Sequence, residues 1–224
     1  MAKRFKLSPS LMCADMLHLQ DELSLFEREG VEYLHIDVMD GHYVPNVALG
    51  PQLCGQVGAA SRIPLDVHLM VENVDAFIPL FTVFKPHFIS FHPETSRHPI
   101  RTIQYIASQG VVPGIAIDPG IAVESMRHLL TEVGLVCVMS VNPGYAGQAI
   151  VPWTLDKLSE LREYRKREGL KFEIEVDGNA SWENIPRMVD AGAEIIVAGS
   201  SSLFSSQLDR PEAFEQMTQL SKVS

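Results

Sequence analysis

The segment YLHIDVMDGHYVPN, residues 33–46, has the pattern of a buried strand that ends in a polar loop. Within it, His35 and Asp37 stand two positions apart, so in a strand their side chains share one face. A strand that is buried on both faces ordinarily carries valine or isoleucine at such positions. The segment therefore indicates a strand with functional side chains at its end. The patterns in the rest of the chain indicate the fold that surrounds it.

Seven further runs of similar composition follow or precede this segment. The eight predicted strands are KLSPSL (6–11), YLHIDVM (33–39), IPLDVHLM (63–70), HFISFH (87–92), VVPGIAID (111–118), VCVMSV (136–141), FEIEVD (172–177) and EIIVAG (194–199). Segments with helical spacing lie between them, and five glycines that follow such segments are expected in the left-handed conformation: Gly30, Gly110, Gly134, Gly169 and Gly192. Eight such alternations predict a parallel sheet closed into a (β/α)8 TIM barrel, with a doubly wound open sheet as the alternative.

The composition favours a single catalytic domain over residues 1–224, because 46% hydrophobic residues suffice for a core of that size. A net charge of −10 argues against a nucleic-acid partner, whereas backbone N–H groups can still hold an anionic small molecule. We expect no membrane association and a cytoplasmic location, since the sequence has neither a signal-peptide pattern nor an apolar run of roughly 18 residues. Three widely separated cysteines, Cys13, Cys54 and Cys137, indicate reduced thiols.

Polar side chains recur where the predicted strands end. In a barrel of this kind the active site lies at the carboxyl ends of the strands, so His35, Asp37, His68 and Asp177 are expected to converge at one mouth. Two imidazoles and two carboxylates suit Zn²⁺, Mn²⁺, Fe²⁺ or Co²⁺, and suit Cu⁺ poorly. The alternative is that each histidine is a hydrogen-bonded core residue and each aspartate a loop cap.

The other histidines divide into two groups. His92 ends the fourth predicted strand, and the sequence leaves open whether it faces the mouth. Surface or packing positions are expected for the remaining five, which are His18, His42, His87, His98 and His128.

Three glycine-containing loops follow the last three predicted strands: NPGYAGQ (142–148), DGNAS (177–181) and AGSSS (198–202). Glycine lets backbone N–H groups approach an anion closely, and phosphate sites in this fold tend to follow the seventh and eighth strands. The loops therefore favour a phosphorylated substrate. Met39, Met70 and Met139 also stand near strand ends, where they either fill the core or line the mouth as an apolar wall.

Seven stretches together resemble the ribulose-phosphate 3-epimerases over essentially the whole chain: SPSLMCAD, HIDVMDGHYVPN, DVHLMV, FHPET, MSVNPGYAGQ, EVDG and AGSS. The resemblance implies one divalent metal ion on His35, Asp37, His68 and Asp177, with Asp37 and Asp177 as the proton-transferring pair. It implies a wall of Met39, Met70 and Met139 and a homo-oligomeric assembly. The substrate contacts that it implies are Ser10, His68, Gly144, Tyr145, Ala146, Gly147, Asp177, Gly178, Asn179, Gly199, Ser200 and Ser201.

Several positions depart from the commonest ribulose-phosphate pattern. Cys13 stands where that pattern has serine, Ala146 and Asn179 stand where it has glycine, and residues 201–204 replace a shorter apolar run. Several of these features, together with the stretches SPSLMC and REGLKFEIEVDG, look more like the D-allulose-6-phosphate 3-epimerase branch. The sequence therefore favours D-allulose 6-phosphate and D-fructose 6-phosphate as substrates, with D-ribulose 5-phosphate and D-xylulose 5-phosphate as the alternative pair.

The chemistry of such a reaction agrees with the residues. Inverting a carbon next to a ketone requires a proton to leave one face and another to arrive on the opposite face, which two carboxylates on separate strands can do. A metal ion beside them stabilises the enediolate. Two other classes remain, a metal-dependent hydrolase and a non-catalytic sugar-phosphate-binding barrel. The hydrolase would need an activated water and a leaving group, and the binding barrel would not need both carboxylates.

Overall fold

The computed structural model describes residues 4–222, and these residues form one sheet of nine strands. The strands are β1 (Lys6–Pro9), β2 (Leu34–Asp40), β3 (Val47–Ala48), β4 (Leu65–Met70), β5 (Phe88–Phe91), β6 (Val112–Ile117), β7 (Leu135–Met139), β8 (Glu173–Asp177) and β9 (Ile195–Ala198). Eight of them pair in parallel. The short β3 is the exception, because it folds back antiparallel on the end of β2 and was not predicted.

The sheet closes on itself between its first two strands. Its order is β1-β9-β8-β7-β6-β5-β4-β2-β3, and a parallel bridge between Ser10 and His35 joins the end of β1 to β2. The backbone N–H of Tyr33 also donates to the carbonyl of Leu7 across this gap. The predicted (β/α)8 barrel is therefore confirmed, and the open-sheet alternative is wrong.

Seven α-helices surround the barrel in the described part of the chain: α1 (Leu19–Glu29), α2 (Pro51–Ala60), α3 (Val74–Thr82), α4 (Pro99–Ser108), α5 (Thr154–Glu168), α6 (Asn184–Ala191) and α7 (Arg210–Ser221). Between β6 and β7, where an eighth α-helix is expected, the described chain forms only the 3-10 turn Val123–Met126. The ammonium group of Lys157 donates to the carbonyls of Asp118, Pro119 and Ile121, so this segment is held by side-chain contacts.

This missing helix also explains one wrong prediction about glycine. Four of the five glycines have positive φ as expected, namely Gly30, Gly110, Gly169 and Gly192. Gly134 does not, because no α-helix of the described chain ends in front of it. Its requirement for glycine is steric, since a Cβ there would lie 2.4 Å from Cγ1 of Val112.

The strands bury residues on both faces. Outward-facing residues such as Ile36, Val67 and Ile89 pack against the helices in the main hydrophobic core. Inside the barrel, the amino-terminal end is filled by apolar side chains that include Phe88 and Leu135. Farther along the same strands the interior becomes polar, as described below.

Two expectations concern the described chain as a whole. None of its helices has the length and apolar character needed to cross a bilayer. The three cysteines within residues 4–222 are free thiols, as predicted, and Cys54 and Cys137 are buried.

Candidate active site

The alternation of β2 and β4 brings the first candidate residues together inside the barrel. Their parallel register places His35 opposite Asp66, and Asp37 opposite His68. All four side chains are buried. Because alternate residues of a strand face the same side, the outward positions between them carry the apolar core while these residues face inward.

The four predicted metal ligands form one cluster. His35, Asp37, His68 and Asp177 each offer a ligand atom, and these atoms all lie within 4.8 Å of one another. Nε2 of His35 is 3.3 Å from Oδ1 of Asp37, and Nδ1 of His68 is 3.6 Å from Oδ2 of Asp177. The sequence prediction of their convergence is therefore confirmed as geometry.

Two nitrogen atoms in this cluster lack hydrogen-bond partners among the described residues. They are Nε2 of His35 and Nδ1 of His68, both fully buried and both facing the carboxylates. Buried polar atoms in proteins are nearly always paired, so an unpaired nitrogen that faces a group of other ligand atoms indicates a place for a bound ion. Two nitrogen and two oxygen donors match the preferences of a first-row divalent metal, and the cluster is able to hold one.

The carboxylate of Asp66 orients His35 from below. Its Oδ2 lies 2.6 Å from Nδ1 of His35 and also accepts a hydrogen bond from the hydroxyl of Ser8 at 3.0 Å. A proton on Nδ1 directed at Asp66 leaves Nε2 free to face the cluster. This is the usual arrangement in which a carboxylate fixes the tautomer of a metal-binding imidazole.

The charges in the cluster shift the pKa values of its members. Burial opposes the ionisation of Asp37, but His35, His68 and the hydroxyl of Ser10 outweigh it and lower the pKa of Asp37 to about 2. Burial opposes protonation of His35 in the same way, and here Asp66 and Asp37 prevail, so its pKa lies well above that of an ordinary imidazole. In the metal-free protein, His35 and Asp37 therefore form a buried pair of opposite charges.

Sequence reasoning gave no role to two buried acids beneath the cluster. Neither Asp66, two positions before His68 on β4, nor Glu175 was among the predicted site residues. Glu175 stands two positions before Asp177 on β8, and it forms a second cluster with His35 and Asp66. Burial and the charge of Asp66 raise the pKa of Glu175 well above its ordinary value, which favours its protonated, neutral form. The two-residue spacing in EIEVD is the signal that places Glu175 inside the barrel.

The structure also assigns positions to the histidines that the sequence left aside. His92 is fully buried at the end of β5, and its Nε2 lies 3.0 Å from Nε2 of His68. It therefore lies inside the barrel beside His68 and is not among the residues that line the cleft at the mouth. The other five are exposed, as expected for surface positions, namely His18, His42, His87, His98 and His128.

A cleft opens above the cluster at the mouth of the barrel. The predicted substrate and wall residues that border it are Ser10, Asp37, Met39, Met70, Met139, Gly144, Tyr145, Ala146, Gly147, Asp177, Gly178, Asn179, Gly199, Ser200 and Ser201. His35 and His68 lie below this lining, inside the barrel. The three glycine-containing loops thus meet beside the carboxylates, with the methionines on the same wall.

The side chain of Asn179, a predicted substrate contact, is engaged by other protein groups. Its backbone has φ +40°, a left-handed conformation that asparagine tolerates better than most residues and that glycine adopts freely. Its Nδ2 donates to the carbonyl of Gln148 at 2.5 Å, and its Oδ1 accepts from Nδ2 of Asn184 at 2.9 Å. The side chain therefore ties neighbouring loops together, which leaves the backbone of Asn179 to contact a ligand.

Comparisons with known proteins agree with this geometry. The model of the Ribulose-phosphate 3 epimerase family matches residues 6–204. The ribulose-phosphate 3-epimerase of Helicobacter pylori (strain J99) is 44% identical over 210 residues, which cover 94% of this chain and 95% of that protein. The ribulose-phosphate 3-epimerase of Escherichia coli K12 is 37% identical over 224 residues, which cover 99% of each chain.

The fold itself is shared more widely. A mutant tryptophan synthase alpha-subunit from Pyrococcus furiosus superposes with a TM-score of 0.69 at 12% identity, and the match covers 98% of each chain. At that level of identity the similarity concerns the barrel alone.

Proposed function

Because the chain belongs to the ribulose-phosphate 3-epimerase family, we propose that it interconverts D-ribulose 5-phosphate and D-xylulose 5-phosphate. At the coarser level it is an isomerase, a 3-epimerase of ketose phosphates. That membership removes the hydrolase and the non-catalytic binding barrel from consideration. The observation that carries the proposed chemistry is the approach of two carboxylates, Asp37 and Asp177, to one point from strands three steps apart in the ring.

The preference for D-allulose 6-phosphate that the sequence suggested finds no support. Relatives that match nearly the whole chain carry the name ribulose-phosphate 3-epimerase. The substitution on which the preference partly rested, Asn179, has its amide engaged by Gln148 and Asn184. We therefore adopt the pentulose phosphates, the alternative pair, as the substrates.

Asp37 and Asp177 act as the acid and base in the proposed reaction. One carboxylate removes the proton at C3 on one face of the substrate, and the other, already protonated, delivers a proton on the opposite face. The two exchange roles in the reverse direction, so one must be protonated whenever the other is not. The low pKa of Asp37 favours its ionised form at the start, when it is ready to accept a proton.

We propose that His35, Asp37, His68 and Asp177 together hold one divalent metal ion, chosen from Zn²⁺, Mn²⁺, Fe²⁺ and Co²⁺ by the mixed nitrogen and oxygen donors. When bound, such an ion supplies Lewis-acid stabilisation of negative charge on the substrate oxygens. The protein's own contribution is orientation: Asp66 directs Nε2 of His35 towards the cluster.

The remaining cleft residues position the substrate in this proposal. The loops 142–148, 177–181 and 198–202 hold the phosphate through backbone N–H groups, and Gly144, Gly147 and Gly178 allow that approach through positive φ values. Ser10 contacts the sugar, and the three methionines exclude water from the reacting carbon. A single-domain organisation and a homo-oligomeric assembly stay predictions.

The substrate proposal is tested by comparing kcat/KM for D-ribulose 5-phosphate and D-allulose 6-phosphate on enzyme with identical metal content. We expect a preference for the pentulose phosphate of more than about tenfold, which corresponds to roughly 1.4 kcal/mol in transition-state binding. Equal values, or a preference for the hexulose phosphate, would return the assignment to the D-allulose 6-phosphate branch without affecting the reaction type.

A further inference from the structure

His68 and His92 form an imidazole pair beside the candidate metal site. The two Nε2 atoms are 3.0 Å apart, the ring planes are inclined by 26° with centroids 5.1 Å apart, and both side chains are fully buried. Two nitrogen atoms at this distance share one hydrogen bond, so one of them carries a proton and the other accepts it.

The direction of that hydrogen bond follows from where the single proton of each neutral imidazole ring must lie. A metal ion on Nδ1 of His68 requires the proton of that neutral ring to sit on Nε2, because each neutral imidazole has one N–H and one acceptor nitrogen. Nε2 of His92 must then be the acceptor, and the proton of His92 must sit on its Nδ1. That nitrogen lies 2.9 Å from Oδ1 of Asp118, the carboxylate oxygen within reach of its proton, although the N–H direction is not aligned with that oxygen in this structure.

We propose that His92 and Asp118 are positioning residues, which hold His68 in the one tautomer whose Nδ1 is free for a metal ion. The inference rests on the metal site of the proposed function, and it assigns a task to two residues outside the four ligands. Asp118 selects the proton position of His92, and His92 selects that of His68. A residue that hydrogen-bonds a metal ligand directly, as His92 does His68, typically changes metal affinity by about 10–100-fold, and Asp118 acts on the metal site through His92.

Asp118 is suited to this role because hydrogen bonds fix the backbone of its segment. Lys157 donates to its backbone carbonyl at 2.5 Å and to those of Pro119 and Ile121. Nε1 of Trp153 donates to the carbonyl of Pro119 as well. These contacts replace the missing helix after β6, so they anchor the residue at the start of that segment.

The same residues raise a competing possibility, a second cation between His92, Glu94 and Asp118. Their ligand atoms lie within 4.8 Å of one another, and Nδ1 of His92 has no hydrogen bond of good geometry to any described residue. A metal on Nδ1 of His92 would, however, move the proton of that ring to Nε2, where it faces the proton on Nε2 of His68. The two neutral rings cannot both leave Nδ1 free for a metal ion, because their facing Nε2 atoms would then both carry protons. The positions of the protons therefore favour the positioning role.

The decisive variant is Asp118→Asn in the full-length, metal-free protein, titrated with Zn²⁺ by calorimetry. The amide is close in shape to the carboxylate, but its N–H group can donate to His92 and reverse the chain of hydrogen bonds. We expect Zn²⁺ to bind about 10–100-fold more weakly than in the wild type. Long-range ¹⁵N–¹H spectra of the histidine rings should show the proton of His68 on Nε2 in the zinc-loaded wild type, and a larger share on Nδ1 in the metal-free variant.

Two further substitutions separate tautomer control from charge and from packing. Glu94→Gln is the matched control, because it also removes one negative charge beside Nδ1 of His92, at 3.8 Å, and should change Zn²⁺ affinity less than about threefold. His92→Phe keeps an aromatic ring but lacks an acceptor, so it should weaken binding as Asp118→Asn does. His92→Gln offers a carbonyl acceptor to His68 and should recover part of the loss.

Each outcome bears on a different statement. Wild-type protein that binds no metal would overturn the metal site of the proposed function, and this inference with it. Metal binding in the wild type, with Asp118→Asn and His92→Phe binding within threefold of it, would overturn the inference alone. An equal loss in Glu94→Gln would assign the effect to charge and also overturn it. A second equivalent of Zn²⁺ that disappears in Asp118→Asn would replace it with the second cation site.

Discussion

Two polar layers lie inside the barrel, one above the other, and their residue types are similar. The upper layer consists of Ser10, Asp37, His68 and Asp177, and the lower layer of Ser8, His35, Asp66 and Glu175. Each contains a serine, two carboxyl groups and an imidazole. The layers differ in where their polar atoms are directed.

In the lower layer most polar groups face one another, whereas Nε2 of His35 has no hydrogen-bond partner among residues 4–222 and faces the cluster above. Asp66 receives hydrogen bonds from Ser8 and His35, and it lies beside Glu175, whose pKa is raised by burial and by the charge of Asp66. In the upper layer, Nδ1 of His68 has no hydrogen-bond partner among residues 4–222, and the side chain of Asp177 is 16% exposed to the cleft. Similar side chains thus stabilise the fold where they hydrogen-bond to one another, and can bind a ligand where their polar atoms face one common point.

The largest effect that tests this comparison is expected in the upper layer. Asp37→Asn and Asp177→Asn should each lower kcat for epimerisation by more than about 10²-fold, because each removes one of the two proton carriers. The measurement is turnover on D-ribulose 5-phosphate, with metal content determined in the same sample. In heavy water, wild-type product should carry solvent deuterium at C3.

Turnover within tenfold of wild type in either variant at full metal occupancy would contradict the two-carboxylate scheme. Retention of the original hydrogen at C3 in heavy water would point to a hydride shift or to a single shielded base.

A second prediction concerns His68, the upper-layer imidazole. His68→Ala should retain the barrel, as circular dichroism would report, while its affinity for Zn²⁺ falls by more than about 100-fold, since a ligand and not merely a supporting contact is lost. His98→Ala serves as the control, because His98 is an exposed histidine directly before α4 and is not part of the cluster. Unchanged zinc affinity in His68→Ala would remove this residue from the ligand set.

The sequence predicted the residues of the cluster, three from the upper layer and His35 from the lower one, far better than the lower-layer acids Asp66 and Glu175. His35, Asp37, His68 and Asp177 are recognisable because period-two spacing and position at strand ends are local features. The neutrality of Glu175 depends on Asp66 across the barrel, and the helix after β6 is replaced by a turn that Lys157 holds from α5. Such contacts join residues that are far apart in the chain, so no local sequence pattern predicts them.

His35 joins the two layers, and this leads to a pH-dependence. Its pKa in the metal-free protein lies well above the ordinary value, so at neutral pH it carries a proton that a metal ion must displace. Zinc affinity should therefore fall as pH falls, by about tenfold per pH unit for each proton released. Calorimetric titrations in buffers of different ionisation enthalpy should report about one proton released per Zn²⁺ at pH 7. No released proton would show that His35 is already neutral.

The smallest effect is expected from Glu175→Gln in the lower layer. Glutamine has nearly the shape of a protonated glutamate, and its N–H group can replace the O–H group that faces Asp66. Activity and zinc affinity at pH 7 should therefore stay within about threefold of wild type, in contrast to the corresponding change at Asp177, two residues farther along β8. A loss as large as that of Asp177→Asn would show that the two layers are not distinct in function.

The stability of Glu175→Gln should nevertheless depend on pH in a characteristic way. A carboxyl group with a raised pKa stays protonated in the folded state while it ionises in the unfolded chain, so it costs stability progressively as pH rises above its unfolded pKa of 4.5. Glutamine has no such proton. The free energy of unfolding of the variant, relative to that of the wild type, should therefore increase between about pH 5 and pH 8, by up to roughly 1.4 kcal/mol per pH unit. Urea unfolding of both metal-free proteins across this range measures the difference, and parallel curves would mean that Glu175 is ionised in the folded barrel.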